Sequence, residues 1–364
     1  MTTQKRGNAS WKSAVVVLCL LVAWEVVGRL ALIGDGAFPP LTAIVQSWWD
    51  NRAAYPAHIL ATVRTAGLGF LIGNAVAIVL AFVFLLVPAA ERLLRPLVVV
   101  LFCLPVVVVA PILGVAFDGD WPKVALAILL VFFPTMVATS VGLANAPGDA
   151  LEVVRASGGS PLRALALVRL RSALPDLLSG IQISAPAAFL GAILGEFLGG
   201  QKGLGVFLVG SMGRGEPAPL WAIGLVATLL SALVYGLIGA VRHAFGIDNT
   251  RPSADVTTLA AGTRTSGTRH LARSVLWVLG GIATLLAAWF AFIAATGLPR
   301  TLMNSPIEVW NSLVTSDRAP EVRAEVLAAF GESVLPAIAG TSAGIVLALV
   351  LAVVLSAYPA VARG

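Results

Sequence analysis

Apolar positions in this chain neither alternate nor form a narrow helical stripe. They run nearly unbroken for about twenty residues at a time, the length that carries a helix across a bilayer. Such runs cover 14–33, 62–87, 97–117, 124–143, 177–198 and 220–241, and two more lie at 275–296 and 334–358. Between the sixth and seventh, residues 248–273 are rich in Thr, Arg, Ser and Gly with no apolar period and read as a linker. The pattern predicts an all-α, polytopic membrane helix bundle of about six spans, followed by two spans more. Pro105, Pro111 and Pro134 fall inside the third and fourth runs and are expected to bend those helices.

Composition strengthens this reading. The 364 residues are 58% hydrophobic and 12% charged, whereas a water-facing surface carries about 25–35% Lys, Arg, Glu and Asp. Lys5, Arg6 and Lys12 precede the first run as in a signal sequence, but that run exceeds the signal core of about 7–15 residues and no small-residue cleavage site follows promptly. It is expected to stay as a helix, with Glu25 and Arg29 pairing across one turn. Cys19 and Cys103 sit within apolar runs as small packing or lipid-facing residues, and His58, His243 and His270 are scattered. No metal site and no catalytic constellation is expected, and Asp118 with Asp120 reads as a solvated turn.

Charge placement sets the orientation. With the N-terminus in the cytoplasm, the inner segments hold Lys5, Arg6, Lys12, Arg92, Arg95, Arg155, Arg163, Arg169, Arg171, Arg242, Arg251, Arg264, Arg269 and Arg273. The outer segments hold Arg52, Lys123, Lys202 and Arg214, so the count is fourteen against four. The net charge of +6 is therefore a topology signal, and no nucleic-acid partner is expected.

The chain also repeats. GNAVAIVLAFVFLLV at 73–87 is echoed by GTSAGIVLALVLAVV at 340–354, and PPLTAIVQSWW from Pro39 by NSPIEVWNSLV from Asn304. An even number of spans before a cytoplasmic linker would keep a second copy in the first copy's orientation. The expected organisation is a first unit over 1–246 with its core at 58–241, a cytoplasmic linker over 247–273, and a partial second unit over 274–364. The second copy ends opposite Leu97 of the first, and the sequence is expected to be the truncated part of a longer one.

The segment between the fourth and fifth runs carries the most specific chemistry. ALEVVRASGGSPLRALALVRLRSALP, residues 150–175, predicts a short helix bearing Glu152 and Arg155, a turn at Gly158-Gly159, and a second helix starting at Ser160. That second helix places Leu162, Leu165 and Arg169 at i, i+3 and i+7, and Pro175 is expected to mark re-entry into the membrane. Polar residues within spans tend to face a bundle interior or a cavity, which makes Gln182, Ser184 and Glu196 candidates for a translocation pathway.

Glu152 six residues before Gly158, followed by Leu174-Pro175, resembles the EAA loop of binding-protein-dependent ABC importer permeases of the MetI-like fold. FPPLTAIV, HILATVRTAGLGFLIG and AILGEFLGGQKGLG are similar to the branch for nitrate, sulfonate, taurine and bicarbonate. The resemblance implies that Glu152, Arg155, Gly158, Gly159, Ser160, Leu162, Leu165 and Pro175 belong to an elbow coupling the membrane unit to an ATPase dimer. Val153 and Val154 stand where the family has alanines, and Arg171 where relatives often have a further proline. It further implies an extracytoplasmic solute-binding protein, a second permease half from the fused copy or another chain, and a bacterial inner-membrane location. No G-x-x-x-x-G-K-[ST] loop is present, so ATP and Mg are expected on the partner and no cofactor on this chain. An ion-coupled secondary transporter is the alternative, but it calls for carboxylates in mid-span, and these spans are nearly bare of them.

Overall fold

The computed structural model describes residues 4–31, 36–246, 268–297 and 304–357, and every regular element among them is helical. The chain divides into two compact units, Met1–Ala43 with Asn304–Gly364, and Ile44–Met303.

The larger unit is built on α3 (Tyr55–Leu86), α6 (Trp121–Ala144), α9 (Leu170–Gly199) and α11 (Pro217–Ala244). Close packing of α6 with both α3 and α9 depends on small residues, as is usual where helices meet in lipid. A Cβ on Gly69 would stand 2.3 Å from the Ala127 Cβ, and one on Gly191 would stand 2.6 Å from the Ala127 Cα. Ala127, fully buried, is thus gripped from both sides, and Ala66, Val131, Phe189 and Ala192 form a core cluster of the same three helices. The order of these approaches gives the directions. Gly69 and Gly73 meet Ala127 and Val131, so α3 and α6 run parallel, whereas Gly180 meets Ala138 and Gly195 meets Lys123, so α9 runs opposite to α6.

The third expected span, 97–117, is not one straight helix. The chain forms α4 (Pro88–Cys103) and α5 (Val106–Ala116), which meet at a 101° bend. Pro105 supplies the break, because it cannot donate a hydrogen bond and holds the preceding Leu104 in an extended conformation. The bent pair still carries the chain from one end of the bundle to the other. It starts beside the α3 C-terminus, where Leu86 borders the 150–175 segment, and it ends before Trp121, beside Gly195. Pro111 and Pro134 stay inside continuous helices.

Other boundaries also move. Helix α12 (Thr268–Thr296) begins before the expected span, so residues 268–273 are helix and not linker, while 247–267 lie outside the described residues. It packs on α4, where a Cβ on Gly281 would stand 2.7 Å from Pro96, so α12 belongs to the compact unit Ile44–Met303. The sequence grouping had assigned it to the second copy.

In the smaller unit, α1 (Gln4–Arg29) carries the expected ion pair, with Arg29 Nε 2.7 Å from Glu25 Oε1. Glu25 also accepts from the Thr42 amide and hydroxyl, and Trp24 Nε1 donates to the Pro39 carbonyl at 3.1 Å. Later in the chain come α13 (Pro306–Trp310), opened by a Ser305–Glu308 capping box, a π-turn over Asn311–Thr315, and α14 (Ala319–Ala357). Helix α14 starts fifteen residues before the expected 334 because its first turns, although charged, are good helix formers. A short α2 (Leu41–Asp50) before the long α3 is thus matched by a short α13 before the long α14.

Candidate functional site

At the end of the bundle reached by the α3 and α6 C-termini, α7 (Gly148–Ala156) and α8 (Pro161–Ala164) form an elbow. Helix α7 is closed by a Schellman arrangement, in which Gly159 N donates to Val154 O at 2.8 Å and Gly158 N to Arg155 O at 3.0 Å. Gly158 has φ +71° with open space around it, so its backbone and not its volume requires glycine. Gly159 differs, because a Cβ there would meet Val154 Cγ1 at 2.5 Å. Ser160 opens α8 by accepting from the Arg163 amide at 3.3 Å, as its position before Pro161 predicts.

Beyond α8 the helix widens into a π-turn over Leu165–Arg169 and continues as α9, so Pro161–Gly199 forms one apolar helical stretch. Pro175 falls inside this stretch and does not break it. It lies in the second turn of α9, where the carbonyl it frees belongs to exposed Arg171. Leu165 packs against the cluster of Ala81, Leu143 and Ala173, and Arg169 Nη1 donates to the Leu143 carbonyl at 3.2 Å. These contacts fix the elbow to α3, α6 and α9. Leu162 does not share that buried side; it is 64% exposed, and Val153 is 66% exposed. Glu152 is also exposed, and Arg155 borders a cleft of about 290 Å³ with Leu85, Leu86 and Leu151.

The three pathway candidates are all buried, each bonded to neighbours inside the bundle. Ser184 Oγ lies 3.2 Å from Asn74 Oδ1, which also accepts from Thr135 Oγ1 at 2.6 Å, so α3, α6 and α9 share one polar knot. Gln182 donates to the Tyr235 carbonyl at 3.3 Å and accepts from Arg242 Nη1 at 2.5 Å, tying α9 to α11. Glu196 is 1% exposed. Its Oε2 accepts from Thr62 Oγ1 at 2.8 Å and from the Gly205 amide at 3.0 Å, at the start of α10 (Leu204–Gly213). Thr62 Oγ1 in turn accepts from the Leu204 amide at 2.8 Å, and His58 Nδ1 lies within hydrogen-bonding distance of both Gly203 backbone groups.

Sequence reasoning missed Asn74, Thr135, Thr62 and His58. For Asn74, Thr135 and Thr62 the available signal was the same one that singled out Ser184, a polar side chain inside an apolar run, whereas His58 lies before its run and had no such signal. Asp120, placed in a solvated turn, pairs with Lys123 Nζ at 2.6 Å. That hydrogen bond, helped by the charges of Lys123 and Arg64, holds the Asp120 carboxyl below the usual carboxylate range.

Residues 73–245, which hold the elbow, the second half of α3, and all of α6, α9 and α11, match the family of binding-protein-dependent transport system inner membrane components. This stretch is similar to that family's membrane domain. A probable ABC transporter permease of Haemophilus influenzae is 29% identical over 64% of this chain and 96% of its own length. The formylaminopyrimidine transport permease of Halalkalibacterium halodurans is 29% identical over 62% of the chain and 92% of its own length. A putative aliphatic sulfonates permease of Bacillus subtilis is 24% identical over 66% and 86%. These relatives are transport permeases, and among the described residues this chain has six helices long and apolar enough to cross a membrane. The family match ends at residue 245, ahead of α12–α14.

Proposed function

We propose that this chain supplies the membrane-spanning subunit of an ATP-driven importer and gives a small hydrophilic solute an alternating-access path across a bacterial inner membrane. The observation that carries this reading is the elbow. Val153 and Leu162 stand exposed on it beside Glu152 and Arg155, while Leu165 and Arg169 fasten it to the bundle. Large apolar side chains on a basic, water-facing loop mark a contact surface. A rigid elbow converts movement of whatever docks there into movement of α6 and α9. In this proposal the docked partner is an ABC ATPase dimer on separate chains, with ATP and Mg acting there. The N-terminus and the elbow face the cytoplasm, and a solute-binding protein delivers at the opposite end.

Gln182, Ser184 and Glu196 are bonded across helices, and we assign them to the moving walls of the pathway. The second permease half comes from the fused copy or another chain, a reading supported by the order of α13–α14, which follows that of α2–α3. The names of the relatives favour a sulfonate, nitrate or thiamine-precursor-like solute.

Reconstitution tests this directly. Proteoliposomes holding the complete transporter, its ATPase and its binding protein are expected to accumulate solute only with ATP, at a rate unchanged by a proton uncoupler. Uptake that needs no ATP and collapses with the uncoupler would instead establish ion coupling.

A further inference from the structure

We propose that α2 is an interfacial anchor, lying in the headgroup region of the bilayer at the end of the bundle opposite the elbow, with Val45, Trp48 and Trp49 turned into the lipid. It directly precedes α3, whose C-terminus borders the elbow, so α2 stands at the far end of that span. Ten residues make about 15 Å of helix at 1.5 Å per residue, half of the roughly 30 Å hydrocarbon core and too short to cross it.

The residues of α2 divide into three sides. Ile44 is buried and the Ser47 hydroxyl is enclosed, so this side packs on protein. Val45, Trp48 and Trp49, at i, i+3 and i+4, form a second side and are 63%, 41% and 57% exposed. Gln46 and Asp50, one turn apart, form a third side that is polar and also exposed. A helix standing in water would leave both tryptophans wet, and a helix sunk in hydrocarbon would leave Gln46 and Asp50 dry. The boundary between lipid and water serves both sides at once.

The aromatic groups favour the same place. Among the described residues neither the Trp48 nor the Trp49 indole N–H has a hydrogen-bond partner. An indole settles where its ring meets acyl chains and its N–H meets water or a headgroup. Arg52, at i+7 from Val45, holds its guanidinium 4.6 Å from the Trp49 ring centroid and donates to the Trp49 carbonyl at 2.8 Å. In this placement that cation sits at the edge of the apolar strip, level with the lipid phosphates. The chain then turns into α3 at the buried Tyr55, whose ring lies 6.5 Å from Trp48 and 5.2 Å from Phe207 of α10. The anchor therefore fixes the depth at which α3 enters the membrane. In the matching segment NSPIEVWNSLV, Trp310 takes the position of Val45 and Val314 that of Trp49, and both are exposed, so the apolar strip recurs there. The placement requires a bundle that crosses a bilayer and does not depend on the importer reading.

Spin labels test it on the full chain in nanodiscs of phosphatidylcholine and phosphatidylglycerol. In a Cys19→Ser, Cys103→Ser background, Val45→Cys, Gln46→Cys, Trp49→Cys and Asp50→Cys are labelled one at a time. Collisions with dissolved oxygen, which concentrates in lipid, are compared with collisions with a water-soluble nickel chelate. The ratio of oxygen to nickel collisions should be severalfold higher at positions 45 and 49 than at 46 and 50. Equal ratios at all four positions, with free access to nickel, would overturn the anchor and show a helix standing in water. Labels at 45 and 49 that neither reagent reaches would overturn it in favour of a protein covering the strip. The native side chains give a second reading, free of any disturbance from the label. The fluorescence lost in a Trp48→Phe, Trp49→Phe double variant should be quenched more strongly by lipids brominated near the headgroup than by lipids brominated deep in the acyl chain. Quenching that is absent, equal or stronger from the deep position would contradict the placement.

Discussion

Gly203→Val is expected to disrupt the junction between α9 and α10 and to lower the stability of the larger unit more than any other single change at this site. A Cβ on Gly203 would stand 2.1 Å from the Glu196 carboxyl carbon, and the residue has φ +134°, a conformation that a β-branched side chain resists. Backbone strain of this kind costs about 1–3 kcal/mol. Displacing Glu196 also removes its bonds from Thr62 and the Gly205 amide, at about 1.5–3 kcal/mol for each bond to a charged group. The sum exceeds about 4 kcal/mol, a large share of the roughly 5–15 kcal/mol that holds a native domain together. At about 2–4 °C per kcal/mol, the melting midpoint of the purified chain should fall by about 10 °C or more. Glu196→Gln keeps the shape and both acceptor contacts to Oε2, so it should cost less than half as much. A Gly203→Val chain that melts within about 2 °C of the parent would show that the junction does not depend on this packing.

At the other end of the bundle, Gly158→Val is expected to abolish coupled transport while leaving the protein inserted and folded. The space around Gly158 is open, so the cost is that of its φ of +71° alone, about 1–2 kcal/mol for a residue with a Cβ. The strain is relieved most cheaply by unwinding the end of α7, which changes the angle between Val153 and Leu162. Uptake by the reconstituted transporter should drop at least about tenfold, the equivalent of about 1.4 kcal/mol, with little change in the melting midpoint. Gly158→Asn should keep most of the activity, because asparagine tolerates the left-handed region. Equal uptake in the Val and Asn variants would show that the turn's geometry is not what transmits the movement.

The elbow was legible because its signals are local. Gly158-Gly159 is C-cap chemistry and Ser160-Pro161 is N-cap chemistry, and both work within a few residues. The spans were legible for a similar reason, since hydropathy over twenty residues needs no knowledge of neighbours. The 101° break was less visible, because α4 and α5 are apolar on both sides of Pro105 and a proline can merely kink a helix in a bundle. The polar clusters depend on pairings across the fold. Asn74 and Ser184 are 110 residues apart, and Thr62 and Glu196 are 134 apart. Spacing cannot reveal such partners, and Glu196 could be noticed in the sequence without its interior role being visible. Leu162 was grouped with Leu165 by helical spacing, yet only Leu165 packs on the bundle.

On the proposed function, the exposed face of the elbow is the surface on which the ATPase docks. The most direct measurement is the affinity of the transport system's own ATPase subunit for the detergent-purified chain, compared with a Val153→Asp, Leu162→Asp double variant. Both positions are exposed, at 66% and 64%, so the variant should fold and melt as the parent does. The ATPase is expected to bind the parent chain, with affinity at least about tenfold lower in the variant, the scale of losing a central apolar contact at an interface. Equal affinity for both chains would contradict it.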